Sequence, residues 1–170
     1  MTVPTPRQMA PELDISTLDG AWRLSEQQPV HFTLIVVYRG LHCPICKASL
    51  RELDQELAAF AERGVDVIAM SGDSEDRARQ SKAQWGINNV RIGYDLTEQT
   101  ARAWGLFVSR GINDKEPSIF FEPGLFLVKP DVTLYSASIQ SMPFARPAIG
   151  DLMKAIDFIV EKDYPARGEA

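Results

Sequence analysis

The chain has 170 residues, 45% hydrophobic and 24% charged, enough for one domain with a real core. Its net charge of -5 at pH 7 argues against nucleic acid, which favours a basic face. No apolar run of about 18 residues exists, so no membrane partner is expected. The first residues, MTVPTPRQMAPELD, lack the apolar core of a signal peptide. The expectation is therefore a cytoplasmic protein, where two cysteines are not a structural staple.

Residues 1–12 are Pro-rich and weakly patterned, and are expected to be flexible. LDISTLDGAWRLSE alternates around Asp19-Gly20 as a hairpin does. HFTLIVVYR, residues 31–39, is β-branched and nearly continuously apolar, which suits a strand buried on both faces. Cys46, Leu50, Leu53, Leu57, Phe60 and Ala61 then recur at helical spacing, with Lys47, Arg51, Glu52, Asp54 and Glu56 opposite. That predicts an amphipathic helix ending near Gly64.

VDVIAM, residues 65–70, is a second buried strand. Asp73 or Ser74 can cap a helix through about Trp85, stopped by Gly86. NVRIGYD predicts a third strand and LTEQTARAWG a short helix. Residues 105–118 have no period and are expected to be an inserted loop. Residues 124–139 predict two strands joined at Pro130-Asp131, and a helix runs from about Ala148 to Val160. The alternation predicts one three-layer α/β domain over 13–162, with 163–170 as a tail.

GLHCPICKASL, residues 40–50, holds both cysteines. Cys43 falls where a strand hands over to a helix, and Pro44 suits the first helical position. Free backbone N–H groups and the helix dipole stabilise a thiolate there, lowering a thiol pKa into a range of roughly 3.5 to 7.5. Arg39, His42 and Lys47 are near in sequence and can add positive potential. Cys46, one turn on, lies on the apolar stripe and should be the more buried sulfur with the higher pKa. An exposed attacking Cys43 and a covered resolving Cys46 suit thiol redox chemistry.

Other readings stay open. Zinc would need more ligands than His31 and His42 supply, and a haem anchor needs His where Lys47 stands. Two inert buried thiols, or a binding or redox-sensing module, fit the same spacing. His42 reads either as a surface neighbour or as a base, and Arg39 can simply solvate the strand end. Trp85, Trp104 and Phe107 suit packing. With no phosphate-binding loop or G-x-G-x-x-G, no cofactor and no metal is expected.

Taken together, APELDISTLDGAWRLSE, HFTLIVVYRGLHCPIC, VDVIAMSGDSEDRARQSKAQWGI, IGYDLTEQTARAWGLF and GLFLVKPDVTLY resemble the peroxiredoxin-like alkyl hydroperoxide reductase and thiol-specific antioxidant family. The resemblance spans roughly residues 10–160. It implies a thioredoxin-like fold, a central mixed sheet flanked by helices. It also implies that Cys43 attacks a peroxide to form a sulfenic acid, that Cys46 condenses with it, and that an external dithiol reduces the disulfide. Substrates would be a small peroxide or a protein disulfide, and the family leaves room for a homodimer.

The sequence departs from that family. Its P-x-x-x-T-x-x-C pattern has Val36 and Gly40 at the Pro and Thr positions. Pro123 stands where members carry an Arg, and resembles the cis-Pro that faces the cysteines of thioredoxins. A cis Glu122-Pro123 bond facing Cys43 is therefore expected. These changes tilt the site towards dithiol–disulfide exchange. The buried acid of thioredoxins is absent from Thr33-Leu34-Ile35-Val36-Val37. QSMPFARP, residues 140–147, is expected to form one wall of the site. There Met142 and Phe144 would shield the thiolate or contact an apolar substrate, and Arg146 would supply charge to Cys43; on the other reading Phe144 plugs the core and Arg146 is solvated.

Overall fold

The computed structural model describes residues 3–170. Among these, nine strands and five helices follow in chain order. The first hairpin is β1 (Asp14–Thr17) and β2 (Gly20–Arg23), turning at Leu18-Asp19. β3 (Phe32–Val37) leads to α1 (Pro44–Gln55) and α2 (Leu57–Glu62). β4 (Val65–Met70), α3 (Glu75–Trp85), β5 (Arg91–Tyr94) and α4 (Glu98–Ala103) come next. β6 (Val108–Arg110), β7 (Ile119–Phe121), β8 (Gly124–Val128), β9 (Leu134–Ile139) and α5 (Ile149–Lys162) complete the chain.

Seven strands form one mixed sheet in the order β2-β1-β5-β4-β3-β8-β9. β3, β4 and β5 are parallel neighbours, and β8 joins β3 antiparallel with Val37 opposite Gly124. Alternation sends side chains to two cores. Leu34, Leu125 and Leu127 meet Leu50 and Leu53 of α1, Phe60 of α2, Trp85 of α3 and Ile156 of α5. Ile35, Val37, Phe126 and Val128 meet Ile68, Trp104 and Ala101 of α4 on the other face. Strands covered on both faces explain the nearly unbroken apolar runs of β3 and β8. The thioredoxin-like three-layer α/β fold is what the resemblance implied.

The caps work as their residue types predict. Ser74 Oγ accepts from Arg77 N at 3.4 Å, and Gly86 closes α3 in the left-handed region at φ 68°. Four expectations need correction. The helix expected to reach Gly64 is broken at Glu56 into α1 and α2. The segment 105–118 is not a plain loop: β6 and β7 form a separate two-stranded hairpin. Asp54, placed on the solvent side of α1, is buried and accepts from the backbone N–H groups of Asn88, Asn89 and Val90 at 3.1, 2.7 and 2.8 Å.

The fourth concerns the chain ends. Arg7 N donates to Leu134 O, Leu134 N to Gln8 O and Ala10 N to Val132 O, so residues 7–10 run along the start of β9 rather than hanging loose. Tyr135 donates its hydroxyl to Tyr164 O, and Arg7 Nε donates to Ala166 O, which docks residues 164–166 beside them. Each of these attachments uses at least one backbone group, which leaves no hydrophobic period to read. Among the described residues, no helix is long and apolar enough to cross a membrane.

Candidate active site

Strand β3 ends at Val37, and residues 38–42 carry the chain to the first turn of α1. Cys43 is the N-cap of α1, with extended backbone at φ −104° and ψ 107°, and Pro44 follows in the first turn. Its Sγ accepts from the backbone N–H of Cys46 at 3.4 Å, so a sulfur does the work of a capping oxygen. Both cysteines are free thiols. Both are also buried, Cys43 at 1% exposure and Cys46 at 0%. The expectation of an exposed Cys43 is therefore corrected. The thiol belongs to the α1-side core, and Arg146 of the 140–147 segment reaches to 3.9 Å from it.

The approach to Cys43 is fixed by a buried carboxylate that the sequence suggested only as a helix cap. Asp73 accepts from Leu41 N at 2.8 Å and from Arg77 Nε at 2.9 Å. Against it sits Gly40 at φ +131°. A Cβ there would lie 2.8 Å from Asp73 Oδ1 and 2.9 Å from Oδ2. The departure at the family's Thr position thus has a physical cause. This backbone has neither the conformation nor the space for a side chain at residue 40.

Arg39 and His42 form a second group with the β6–β7 hairpin. The Arg39 guanidinium lies 4.6 Å from the Phe120 ring centroid and pairs with Glu122 at 3.2 Å. Glu122, itself buried, also accepts from Ser109 Oγ at 2.6 Å. The Arg39 backbone N–H donates to Cys46 Sγ at 3.3 Å. His42 packs edge-on to Phe120 at 4.7 Å, and both of its ring nitrogens are buried without a partner. Burial first, then the Arg39 charge, lowers its pKa, so the ring is neutral at neutral pH. Lys47 is exposed and joins neither group.

Arg146 is the other cation at the pair. Its Nη2 lies 3.0 Å from Cys46 Sγ and 3.9 Å from Cys43 Sγ, while its Nε donates to Pro143 O at 2.8 Å. The 140–147 segment therefore does form a wall of the site. Met142 and Phe144 are 49% and 58% exposed, so Phe144 does not plug the core. The Glu122-Pro123 bond is trans, because no cis peptide occurs among the described residues. β7 passes almost directly into β8 there, with Glu122 N bonded to Phe107 O and Pro123 O to Gln140 N. Pro123 borders a small cavity of about 40 Å³ with Leu50, Gln140, Arg146 and Ile149.

These contacts divide the two thiols. The Cys43 thiol falls from an ordinary 9.0 to about 5. The chief cause is the Cys46 S–H donated to it; the Cys46 N–H, Arg39 and Arg146 add to this against burial. Cys46 moves the opposite way, raised by burial and by giving its proton to Cys43. At neutral pH the pair holds one negative charge, centred on Cys43, and one proton, centred on Cys46.

The family model of the AhpC/TSA family matches residues 6–137. The chain belongs to that family. It is 23% identical over 153 residues to peroxiredoxin tpx1 of Schizosaccharomyces pombe, covering 86% of this chain and 70% of that protein. The fold is also that of reduced Plasmodium vivax 2-Cys peroxiredoxin, with a TM-score of 0.76 and 18% identity over 96% of this chain and 84% of the other. Mycobacterium bovis AhpC gives 0.76 with 15% identity over 96% of each chain.

Of the residues nominated from sequence, the structure brings Cys43, Cys46, Arg39, His42 and Arg146 together, and it adds Asp73, Ser109, Phe120 and Glu122, to which the sequence analysis gave no place in the site. A signal existed for two of them. Glu122 is an acid between apolar residues in IFFEPGLF, and Asp73 follows a strand end in MSGD.

Proposed function

We propose that this AhpC/TSA protein is a thiol peroxidase that uses Cys43 as nucleophile and Cys46 as resolving thiol. Family membership and the peroxiredoxin relatives support the peroxidase class. The observation that carries the mechanism is the Cys43 sulfur at the N-cap of α1, where the Cys46 N–H donates to it and Arg146 stands 3.9 Å away. A thiol held at about 5 is almost wholly thiolate at pH 7.

The Cys43 thiolate attacks one peroxide oxygen, forms an S–O bond and breaks the O–O bond. The products are a Cys43 sulfenic acid and an alkoxide or hydroxide, which takes a proton from water. Cys46 then attacks the Cys43 sulfur. The S–O bond breaks, and hydroxide leaves with the Cys46 proton as water. An external dithiol reduces the resulting disulfide by two exchange steps.

A second reading, dithiol–disulfide exchange, is favoured by Gly40. The family hydroxyl that would orient a peroxide has no place at a glycine pressed on Asp73. Two assays on one preparation separate the readings. Dithiothreitol-driven consumption of hydrogen peroxide and an organic hydroperoxide supports the peroxidase, and insulin disulfide reduction supports the exchanger. Peroxide left unconsumed would overturn the first reading.

A further inference from the structure

The resolving sulfur is equipped for a charge it does not carry at rest. Cys46 Sγ is fully buried in the α1-side core, yet two N–H donors converge on it. Arg146 Nη2 stands at 3.0 Å and Arg39 N at 3.3 Å. Arg146 is nearer to Cys46 than to Cys43, which lies at 3.9 Å. Among the described residues its hydrogen bonds go to the Pro143 carbonyl and the two sulfurs, and none to a carboxylate. Arg39 differs, since its guanidinium is paired with Glu122. It therefore serves Cys46 through its backbone N–H.

A thiol is a weak acceptor and has little use for such donors, whereas a buried thiolate depends on them. We propose that Arg146 and the Arg39 N–H form a thiolate hole for Cys46, which acts in the second step rather than the first. The inference rests on Cys43 as attacking and Cys46 as resolving thiol.

At rest the negative charge sits on Cys43, and the hole holds a protonated sulfur. Oxidation of Cys43 removes that charge. Cys46 S–H then loses the thiolate that was accepting its proton, and the two donors face the one sulfur able to become anionic. Cys46 passes its proton to the departing group as its own sulfur attacks, so charge develops on the sulfur the donors address. Arg146 is thus a device for disulfide closure, in addition to lending positive potential to Cys43.

The test is a two-step kinetic split on the full chain, comparing wild type, Arg146→Ala and Arg146→Lys. In the peroxide arm, a sulfenic-acid trap applied at quench times follows formation and decay of Cys43-SOH. In the disulfide arm, an aryl disulfide replaces peroxide. Cys43 attack releases one arylthiolate and forms a mixed disulfide, and Cys46 attack on that disulfide releases the second. Loss of a charge-assisted hydrogen bond predicts that Arg146→Ala slows the second step roughly ten- to a hundred-fold, with the first changed less than about three-fold.

Arg146→Lys, which keeps a cation without the planar fork, should recover part of that loss. Thermal melting identifies any variant that has lost its fold, and the lysine variant then carries the comparison. Equal slowing of both steps, or an unslowed second step, overturns the proposal. A sulfenic acid that never forms in wild type, beside a selectively slowed second arylthiolate release in Arg146→Ala, would refute the peroxidase reading and uphold the hole.

Discussion

Replacing Cys46 by Ala should raise the Cys43 titration midpoint, and by a calculable amount. The thiol sits at about 5 mainly because the Cys46 S–H donates to it. Cys46→Ala removes that donor but keeps the backbone N–H at residue 46, which lies 3.4 Å from Cys43 Sγ, together with Arg39 and Arg146. A hydrogen bond to a charged group contributes about 1.5–3 kcal/mol, and 1.36 kcal/mol corresponds to one pH unit. The midpoint should therefore rise by roughly one to two units. At pH 6 the thiolate fraction falls from about 90% to between about 50% and 10%.

The assay is the rate of iodoacetamide alkylation, or the thiolate ultraviolet absorbance, followed from pH 4 to pH 10. The midpoint decides, rather than the rate at one pH, because a more basic thiolate is intrinsically more nucleophilic. Cys46→Ser keeps an O–H donor and should move the midpoint less than Cys46→Ala. A midpoint that stays at about 5 in Cys46→Ala would show that the helix terminus and the arginines suffice, and would refute the shared-proton account.

Three further outcomes are expected. Cys43→Ser should abolish peroxide turnover, whereas Cys46→Ser should leave a Cys43 thiol trappable as sulfenic acid or mixed disulfide; mass spectrometry of the trapped chain checks both. Gly40→Thr, which restores the family residue, should destabilise the fold by about 1–3 kcal/mol in urea titration, because φ is +131° and Asp73 occupies the space of the new side chain. Asp54→Ala should cost about 2–3 kcal/mol at pH 7 by leaving three N–H groups without their acceptor. Burial raises the Asp54 pKa, but those donors outweigh it and hold it below the ordinary value, so its contribution is full above the carboxylate range and fades as pH falls through it. Denaturant midpoints of wild type and Asp54→Ala should thus converge in acid.

The parts of the fold legible in the sequence are those dictated by period and cap. β3 and β4 are read from continuous β-branched runs, and α3 from its Ser74 cap and Gly86 stop. β6 and β7 escape because three-residue strands show too little period, and their pairing bridges a polar loop. Asp54 has the position of a surface residue on an isolated α1, and its burial is set by the 88–90 segment, far away in sequence. Cys43 and Arg146 could be nominated from a strand–helix junction and an odd loop. Their meeting could not be ranked, since the preference of Arg146 for Cys46 is a matter of 3.0 against 3.9 Å. The trans bond before Pro123 shows the limit of resemblance: a local likeness to the thioredoxin strand did not carry its peptide geometry.

The placement of charge also bears on how substrate reaches a sulfur that is 1% exposed. Arg39 is anchored three times, by Glu122, by Phe120 and by its own N–H on Cys46. Asp73 fixes the preceding turn through Leu41, and Arg77 fixes Asp73. Everything on that side of Cys43 is built to stay. Arg146 is different: its hydrogen bonds reach its own segment and the two sulfurs, on a stretch with Met142 and Phe144 exposed and Ala145 at φ 56°. Displacing that segment would break the Arg146 contacts to both sulfurs while leaving the Arg39–Glu122 and Leu41–Asp73 anchors in place, so substrate entry from that side would cost Cys46 its cation before it cost Cys43 its remaining donors.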